Sequence, residues 1–307
     1  MIDFLVYLST MVCIWGILSL SLNMQYGVTG LINLGHVAFF MVGAYVSTIL
    51  VVIVGAPIFL GFVGAVAASA VIGMIFAAPT ANLREDYWAI CTLAFAEVVR
   101  LFFLNQPLQG QYVGASFGVS GIPRPLRELF STQGYGYFYL GLAVLCLVLA
   151  YLLVEWITRQ PFGRVLKALR EGDELPLALG KDVGRFRIKA MALGGALGGA
   201  AGSLFAHYNA FIAPNYFLPL ETFIVWGMII LGGAGNHLGA IVGTVVIQLM
   251  YNSTRFLKEI VAVDTSVLAS LRMVVIGILI ILVILFLPKG LLPERKRTYA
   301  ARKNTAG

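Results

Sequence analysis

Few residues in this chain can bind or transform anything, and their spacing narrows what they can do. Asn33 and His36 stand three residues apart, about one helical turn, in the polar, glycine-rich stretch 24–36. A neutral imidazole and an amide there can hydrogen-bond a polar solute in a cavity, or tie one helix to another. Glu97 and Arg100 have the i, i+3 spacing of a helical ion pair, with the Thr92 hydroxyl earlier in the same apolar run. A charged pair at membrane depth is costly unless matched, so it either serves a pathway or satisfies itself. His36, His207 and His237 fall in separate segments with no carboxylate pattern joining them, which argues against a metal centre. No Ser/His/Asp set or paired acids suggest catalysis. The glycine-rich stretch 231–243 lacks the Lys-Ser or Lys-Thr of a phosphate-binding loop and begins no strand-helix-strand unit. Its glycines suit a tight turn or a close helix crossing. If ATP drives this protein, ATP and Mg²⁺ bind another chain.

The elements that must position these residues are membrane helices. Hydrophobic residues make up 60% of the 307 residues and charged ones 11%, against roughly 25% charged in a soluble domain. No Asp, Glu, Lys or Arg occurs from residue 4 to 83, room for about three spans of roughly 20 residues. The runs are continuous, not the short alternating segments of a barrel. The fold class is therefore all-α, a polytopic helical membrane protein with residues 1–307 as one transmembrane domain. Nine spans fit: 4–24, 29–54, 58–80, 87–105, 136–157, 188–209, 220–231, 238–251 and 267–287. The seventh and eighth are short and read as tilted, broken or re-entrant. The irregular start of the second is compatible with lipid only if packed in protein or lining a cavity, and a helix follows from Phe39. Gly43 and Ser47, one turn apart, permit close packing there.

The net charge of +7 does not point to nucleic acid. Fourteen of the 21 basic residues lie in 159–189 and in the tail 289–307, where clusters beside spans mark the cytoplasmic face and anionic lipid. With 159–189 inside, four later spans put the tail inside and five earlier ones put the N-terminus outside. The outer loop 106–135 then holds Arg124 and Arg127, against the charge rule; rich in Gly and polar residues, this loop suits a lid or a docking surface. Cys13, Cys91 and Cys146 all sit in apolar runs and carry no chemistry. The N-terminus lacks a basic leader region and reads as a retained span.

Residues 159–189 hold eight basic and four acidic residues between long apolar runs, so they lie in water. Pro161 opens a helix at Phe162, and Val165, Leu166 and Leu169 share one face of it. Gly172 ends it, Asp173 is placed to cap a second short helix, Pro176 sits in that helix's first turn, and Gly180 suits its end. Such a knuckle either sets topology as a basic loop or is gripped by another protein.

The order of residues in PFGRVLKALREGDELPLALG resembles the coupling segment of ABC importer permeases, and more narrowly the branched-chain amino acid permeases, M-type subunit (LivM family). LNMQYGVTGLINLGHVAFFMVGAY, YWAICTLAFAEVVR, GVSGI, AHY and LGGAGNHLGAIVG are similar to the same family in the family's order, and together cover most of the chain. Asn33 departs from the pattern: the M-type often has Ser there, and Asn is closer to the H-type. The resemblance implies a bacterial inner-membrane permease that forms a heterodimer with a homologous permease. Two ATPase subunits and a periplasmic or lipid-anchored binding protein would complete the importer, and the cargo would be branched-chain or related amino acids. It assigns ATPase coupling to Phe162, Gly163, Arg164, Arg170, Glu171, Asp173, Glu174, Ala178 and Gly180. Asn33, His36, Thr92 and Glu97 become candidates for the translocation path. Closely similar permeases carry urea or short amides, the alternative cargo. An ion-coupled secondary transporter would need titratable or Na⁺-binding residues at mid-membrane, and these are nearly absent. Specificity then rests largely with the binding protein, since no intramembrane charge pair suits an amino acid. GLINLGHVAFFMVGAY and GGAGNHLGAIVGTVV both place Gly, Asn, His and Gly before an apolar helix, either as relics of duplication or by composition alone.

Overall fold

The computed structural model describes residues 2–105, 118–260 and 265–294. Residues 106–117 of the outer loop read as a lid or docking surface, and the tail from residue 295, lie outside the described residues.

The chain is built of helices running between two faces. The first, α1 (Ile2–Asn23), has no charged residue after Asp3 and is largely buried from Ile14 onward. It loosens into a π-helical turn, Met24–Val28. Residues 30–33 are not helical, and α2 (Val37–Thr48) then begins, extended by a second π-helical stretch, Ile49–Ile53. The second span is thus half irregular and half helix, as its polar, glycine-rich start requires. α3 (Ile58–Thr80), α4 (Glu85–Asn105) and α5 (Thr132–Arg159) follow. The knuckle comes next as α6 (Pro161–Glu171) and α7 (Glu174–Ala178), then α8 (Val183–Asn209), α9 (Pro219–Gly232), α10 (His237–Ile260) and α11 (Thr265–Phe286). Among the described residues six helices are long and apolar enough to cross a membrane, and three apolar helical stretches are shorter. A two-residue antiparallel ribbon pairs β1 (Val119–Ser120) with β2 (Phe211–Ile212), Val119 opposite Ile212, and departs from an all-helical fold.

α8 stands at the centre. Its glycines let neighbouring backbones approach where lipid supplies no hydrophobic drive for association. A Cβ at Gly199 would run into Ser69, one at Gly202 into the Phe40 carbonyl, and one at Gly43 into Gly199 itself. The facing helix α3 buries only Gly61, Ala65, Ser69, Gly73 and Ala77, a stripe at four-residue intervals of small side chains. Ser47 is hydrogen-bonded to Ser203 (2.8 Å) and to His207 Nε2 (2.9 Å), and His207 Nδ1 donates to the Pro123 carbonyl (2.7 Å). These bonds tie α2, α8 and the outer loop together at one face.

At the opposite face lie the end of α1, the α3–α4 turn, the knuckle, the α9–α10 turn and the chain after α11. Leu291 and Leu292 donate their backbone N–H groups to the Leu231 and Gly232 carbonyls (2.8 and 2.9 Å). The eighth span is short as expected, its apolar part running 237–252, but α10 itself runs 24 residues, because Asn252, Ser253 and Thr254 end the apolar run without ending the helix. α9 is 14 residues by itself, but with the turn before it the stretch 214–232 is one of the six membrane-capable spans. Its crossing with α10 is tight: a Cβ at Gly232 would strike the Gly239 carbonyl, and Gly233 (φ +112°) and Gly235 (φ +86°) make the turn between them.

Candidate functional site

The end of α1 collects the polar residues of the broken span and of the α9–α10 turn. Gln25 Oε1 accepts from Asn33 Nδ2 (2.7 Å) and from His36 Nδ1 (3.0 Å), and Gln25 Nε2 donates to the Met191 carbonyl of α8 (3.3 Å). Two residues earlier, Asn23 Nδ2 donates to His237 Nδ1 (3.0 Å), while Asn23 Oδ1 accepts from the Gly235 N–H (2.9 Å). His237 Nε2 then reaches Thr158 at the end of α5 (3.2 Å). The two Gly-Asn-His-Gly stretches therefore dock on the same end of one helix. Their asparagines also act alike locally. Asn33 Oδ1 accepts from Gly35 N (2.9 Å), and Asn236 Oδ1 accepts from Leu238 N (3.0 Å), each opening the helix that follows.

Asn33 is 1% exposed and His36 0%. Thr92 joins them, its hydroxyl accepting from Leu34 N (3.0 Å), and Thr222 does the same for Val37 N (3.1 Å). Trp226 Nε1 donates to the Asn33 carbonyl (2.9 Å). The irregular backbone is thus satisfied by side chains from α4 and α9, which is how such a segment survives at membrane depth. Glu97 is not in this cluster. Its carboxylate takes the Arg100 guanidinium in a two-point pair, with Nε at 2.9 Å.

The knuckle follows its local signals closely. Pro161 is the first residue of α6, Leu166 and Leu169 are buried, and Phe162 stacks on Phe186 at 5.5 Å. Gly163 lies against the Thr158 backbone, where any Cβ would clash. Gly172 (φ +142°) ends α6 and Gly180 (φ +68°) follows α7. The capping role expected of Asp173 is corrected. Its side chain makes no cap bond; both oxygens are held by Arg187 Nη2 at 2.9 and 3.0 Å. A charged guanidinium outcompetes a neutral backbone N–H for a carboxylate. Arg187 also donates to the Ala81 carbonyl (2.8 Å), fixing the knuckle to the α3–α4 turn.

Arg170 turns inward, not to solvent. It donates to the Gly27 carbonyl in the turn after α1 and pairs with Glu294 (2.7 Å), which Lys167 also contacts (2.9 Å). Burial alone would raise the Glu294 carboxyl, but the hydrogen bonds and charges of Lys167 and Arg170 outweigh it and hold it below the ordinary value. An acid depressed in this way contributes stability above its unfolded-state pKa, about 4.3 for Glu. That stability is lost only as pH falls through the lowered folded value, so the latch is closed at neutral pH. Arg164, Glu171, Glu174, Ala178 and Gly180 face outward. So do Leu175 (60% exposed), Leu177 (59%) and Leu179 (67%), an apolar patch on a segment that lies in water. Sequence reasoning passed over these leucines, although three in five residues beside a charged helix were a signal. Asn23 and Gln25 also had one: they are polar within a run of 80 residues without a charge.

Residues 4–284 match the family described as "Branched-chain amino acid transport system / permease component". The chain belongs to this family. Among its relatives, the LivM high-affinity branched-chain amino acid permease protein of Salmonella typhimurium is 31% identical over 93% of this chain and 69% of that protein. The probable LivM protein of Methanocaldococcus jannaschii is 30% identical over 94% of both chains. The LivH permease protein of Escherichia coli is more distant, 24% identical over 91% of each. The M-type assignment thus holds despite Asn33. No solved structure matches. As a family permease with six membrane-capable helices, the chain is a multi-pass membrane protein and a transport subunit, not an enzyme.

Proposed function

We propose that this chain is the M-type permease subunit of an ATP-driven importer of branched-chain amino acids in the cytoplasmic (inner) membrane. An H-type permease, two ATPase subunits and an external binding protein complete it, and ATP and Mg²⁺ bind on the ATPase subunits. The observation that carries this reading is the exposed Leu175, Leu177 and Leu179 patch on the knuckle of a family permease. Covering one such side chain is worth about 2 kcal/mol, so an unpartnered patch in water favours a protein groove over it. Arg164, Glu171 and Glu174 are exposed on the same knuckle, and such charge orients a partner more than it adds affinity.

Movement of the knuckle would reach the membrane through two rigid links. Arg187 joins it to the α3–α4 turn, and Arg170 joins it to the turn after α1. That turn is continuous with the Gln25, Asn33 and His36 cluster, so displacing the knuckle loads the broken span first. ATP and the loaded binding protein must favour different states of this assembly for import to be driven. The docking test is a cross-link. Ala178→Cys, on the exposed side of the knuckle, is expected to form a disulfide with a cysteine placed along the ATPase groove, and with none placed elsewhere on that subunit. Absence of any cross-link while the complex remains assembled would place the docking surface elsewhere.

A further inference from the structure

The chain after α11 is bound to the bundle. The last carbonyls of a helix have no partner within it, and those of Leu231 and Gly232 in α9 accept from the Leu291 and Leu292 N–H groups (2.8 and 2.9 Å). Asn236 Nδ2, in the α9–α10 turn, donates to the Leu292 carbonyl (3.1 Å). Gly290 is packed so closely on Gly233 that a Cβ there would collide with the Gly233 backbone. Residues 287–294 thus form a strap against the α9–α10 turn. At its end, among the described residues, stands Glu294. Its Oε1 accepts from Lys167 Nζ (2.9 Å) and its Oε2 pairs with Arg170 Nη2 (2.7 Å), so α6 of the knuckle holds both carboxylate oxygens. That leaves Arg170 Nη1 for the Gly27 carbonyl. Gly235 lies beside the pair: a Cβ there would stand 2.8 Å from both Arg170 Nη1 and Glu294 Oε2. Four segments distant in sequence therefore meet at one point: the turn after α1, the knuckle, the α9–α10 turn and the strap.

We propose that Glu294 is a positioning residue for ATP coupling: through the strap it makes the knuckle and the α9–α10 turn move as one body, and it holds the Arg170 guanidinium on the Gly27 carbonyl. The proposal rests on the importer reading above and adds a second route for the stroke. Asn23 already ties the end of α1 to the α9–α10 turn, through Gly235 and His237. Glu294 attaches the knuckle to that assembly by two charged contacts, which are stronger than neutral ones. A carboxylate on one edge of a planar guanidinium also fixes the direction of the other edge. The destination of both routes is the broken span. Gln25, just after α1, holds the Asn33 and His36 side chains, while Thr222 and Trp226 of α9 hold the Val37 N–H and the Asn33 carbonyl. A stroke that shifted α1 alone would pull one side of this grip from the other, and hydrogen bonds weaken steeply once their geometry is lost. With the strap in place α1 and α9 are driven together, and the broken span is carried between them.

The test is made on the assembled importer in vesicles, with Cys13, Cys91 and Cys146 replaced by Ala. Spin labels are placed at Lys181→Cys, exposed at the end of the knuckle, and at Leu238→Cys, exposed at the start of α10. With Glu294 present, the distance between the labels is expected to be the same with and without ATP. Glu294→Gln keeps the shape and removes the charge. It should make that distance shift or broaden on ATP binding, and lower ATP hydrolysis stimulated by the loaded binding protein roughly tenfold, the loss of one charge-assisted hydrogen bond. Recovery of the ATPase subunits with the permease should be unchanged, because the exposed leucines are untouched. Glu294→Asp, with the charge on a shorter stem, should recover part of the stimulation. A Glu294 that only stabilised the fold would change the amount of assembled importer and leave stimulation per complex and the label distance of Glu294→Gln as they are with Glu294. That result would overturn the proposal. So would a distance that changes with ATP while Glu294 is present, a reading that needs no Glu294 variant to assemble. An assembled wild-type complex whose ATP hydrolysis ignores the binding protein would instead overturn the importer reading.

Discussion

Replacing Leu175 and Leu177 together by Glu is expected to abolish recovery of the ATPase subunits with the permease. ATP hydrolysis stimulated by the loaded binding protein should fall about 100-fold, the effect of losing two central contacts of about 2 kcal/mol each with incomplete additivity. Both side chains are mostly exposed, so membrane levels of the permease should be unchanged. Gly180→Val should act in the same direction by a different route. Its backbone is left-handed (φ +68°) and no atom lies within 4 Å of a Cβ built there. The cost within the subunit is thus about 1 kcal/mol of backbone strain, and the larger effect comes from filling space that the partner needs. Co-purification followed by an ATPase assay checks both. Full stimulation in the Leu175→Glu, Leu177→Glu permease would remove the knuckle from the coupling path.

Arg170→Ala is expected to give a different defect. The ATPase subunits should still bind, because the exposed patch is intact, yet stimulation by the loaded binding protein should fall at least roughly tenfold. Arg170 carries the hydrogen bond from the knuckle to the turn after α1, and it also holds Glu294. Removing it leaves a partly buried carboxylate with Lys167 alone and frees the Gly27 carbonyl, a loss of about 2 kcal/mol in charge-assisted bonds. Coupling free energy is reciprocal, so a link that fails to carry the ATPase stroke outward also fails to carry the docking signal inward. Arg170→Lys separates charge from geometry. One ammonium cannot span both partners as a planar guanidinium does, and stimulation should recover only in part. Measuring co-purification and stimulated hydrolysis side by side distinguishes this from simple unfolding, which would lower both.

The parts of this architecture that were legible in the sequence are those set by local backbone chemistry. Pro161, Gly172 and Gly180 mark the knuckle because each restricts or frees backbone angles whatever surrounds it. The broken second span was legible because a polar, glycine-rich stretch cannot face lipid. Partner choice was not legible. That Asn33 and His36 needed partners followed from their depth, but Gln25 became the hub only once α1 and the broken segment were brought side by side. Asp173 looked like a cap because its neighbours in sequence were favourable, and Arg187 won because folding placed a full charge within reach. The Lys167–Glu294 pair joins residues 127 apart, beyond any pattern that spacing alone can reveal. His237 and Asn23, 214 residues apart, are a similar case. The apolar part of α10 was legible, but not the helix's continuation beyond it, because polar residues end an apolar run without ending a helix.

The most direct measurement of the central claim is leucine accumulation in vesicles that hold this chain with its H-type partner and the ATPase subunits. ATP is supplied on the knuckle side and leucine-loaded binding protein on the other. The account predicts accumulation that requires both and persists when Na⁺ and proton gradients are collapsed. Accumulation that continues without ATP, or that disappears when those gradients are collapsed while ATP remains, would contradict it.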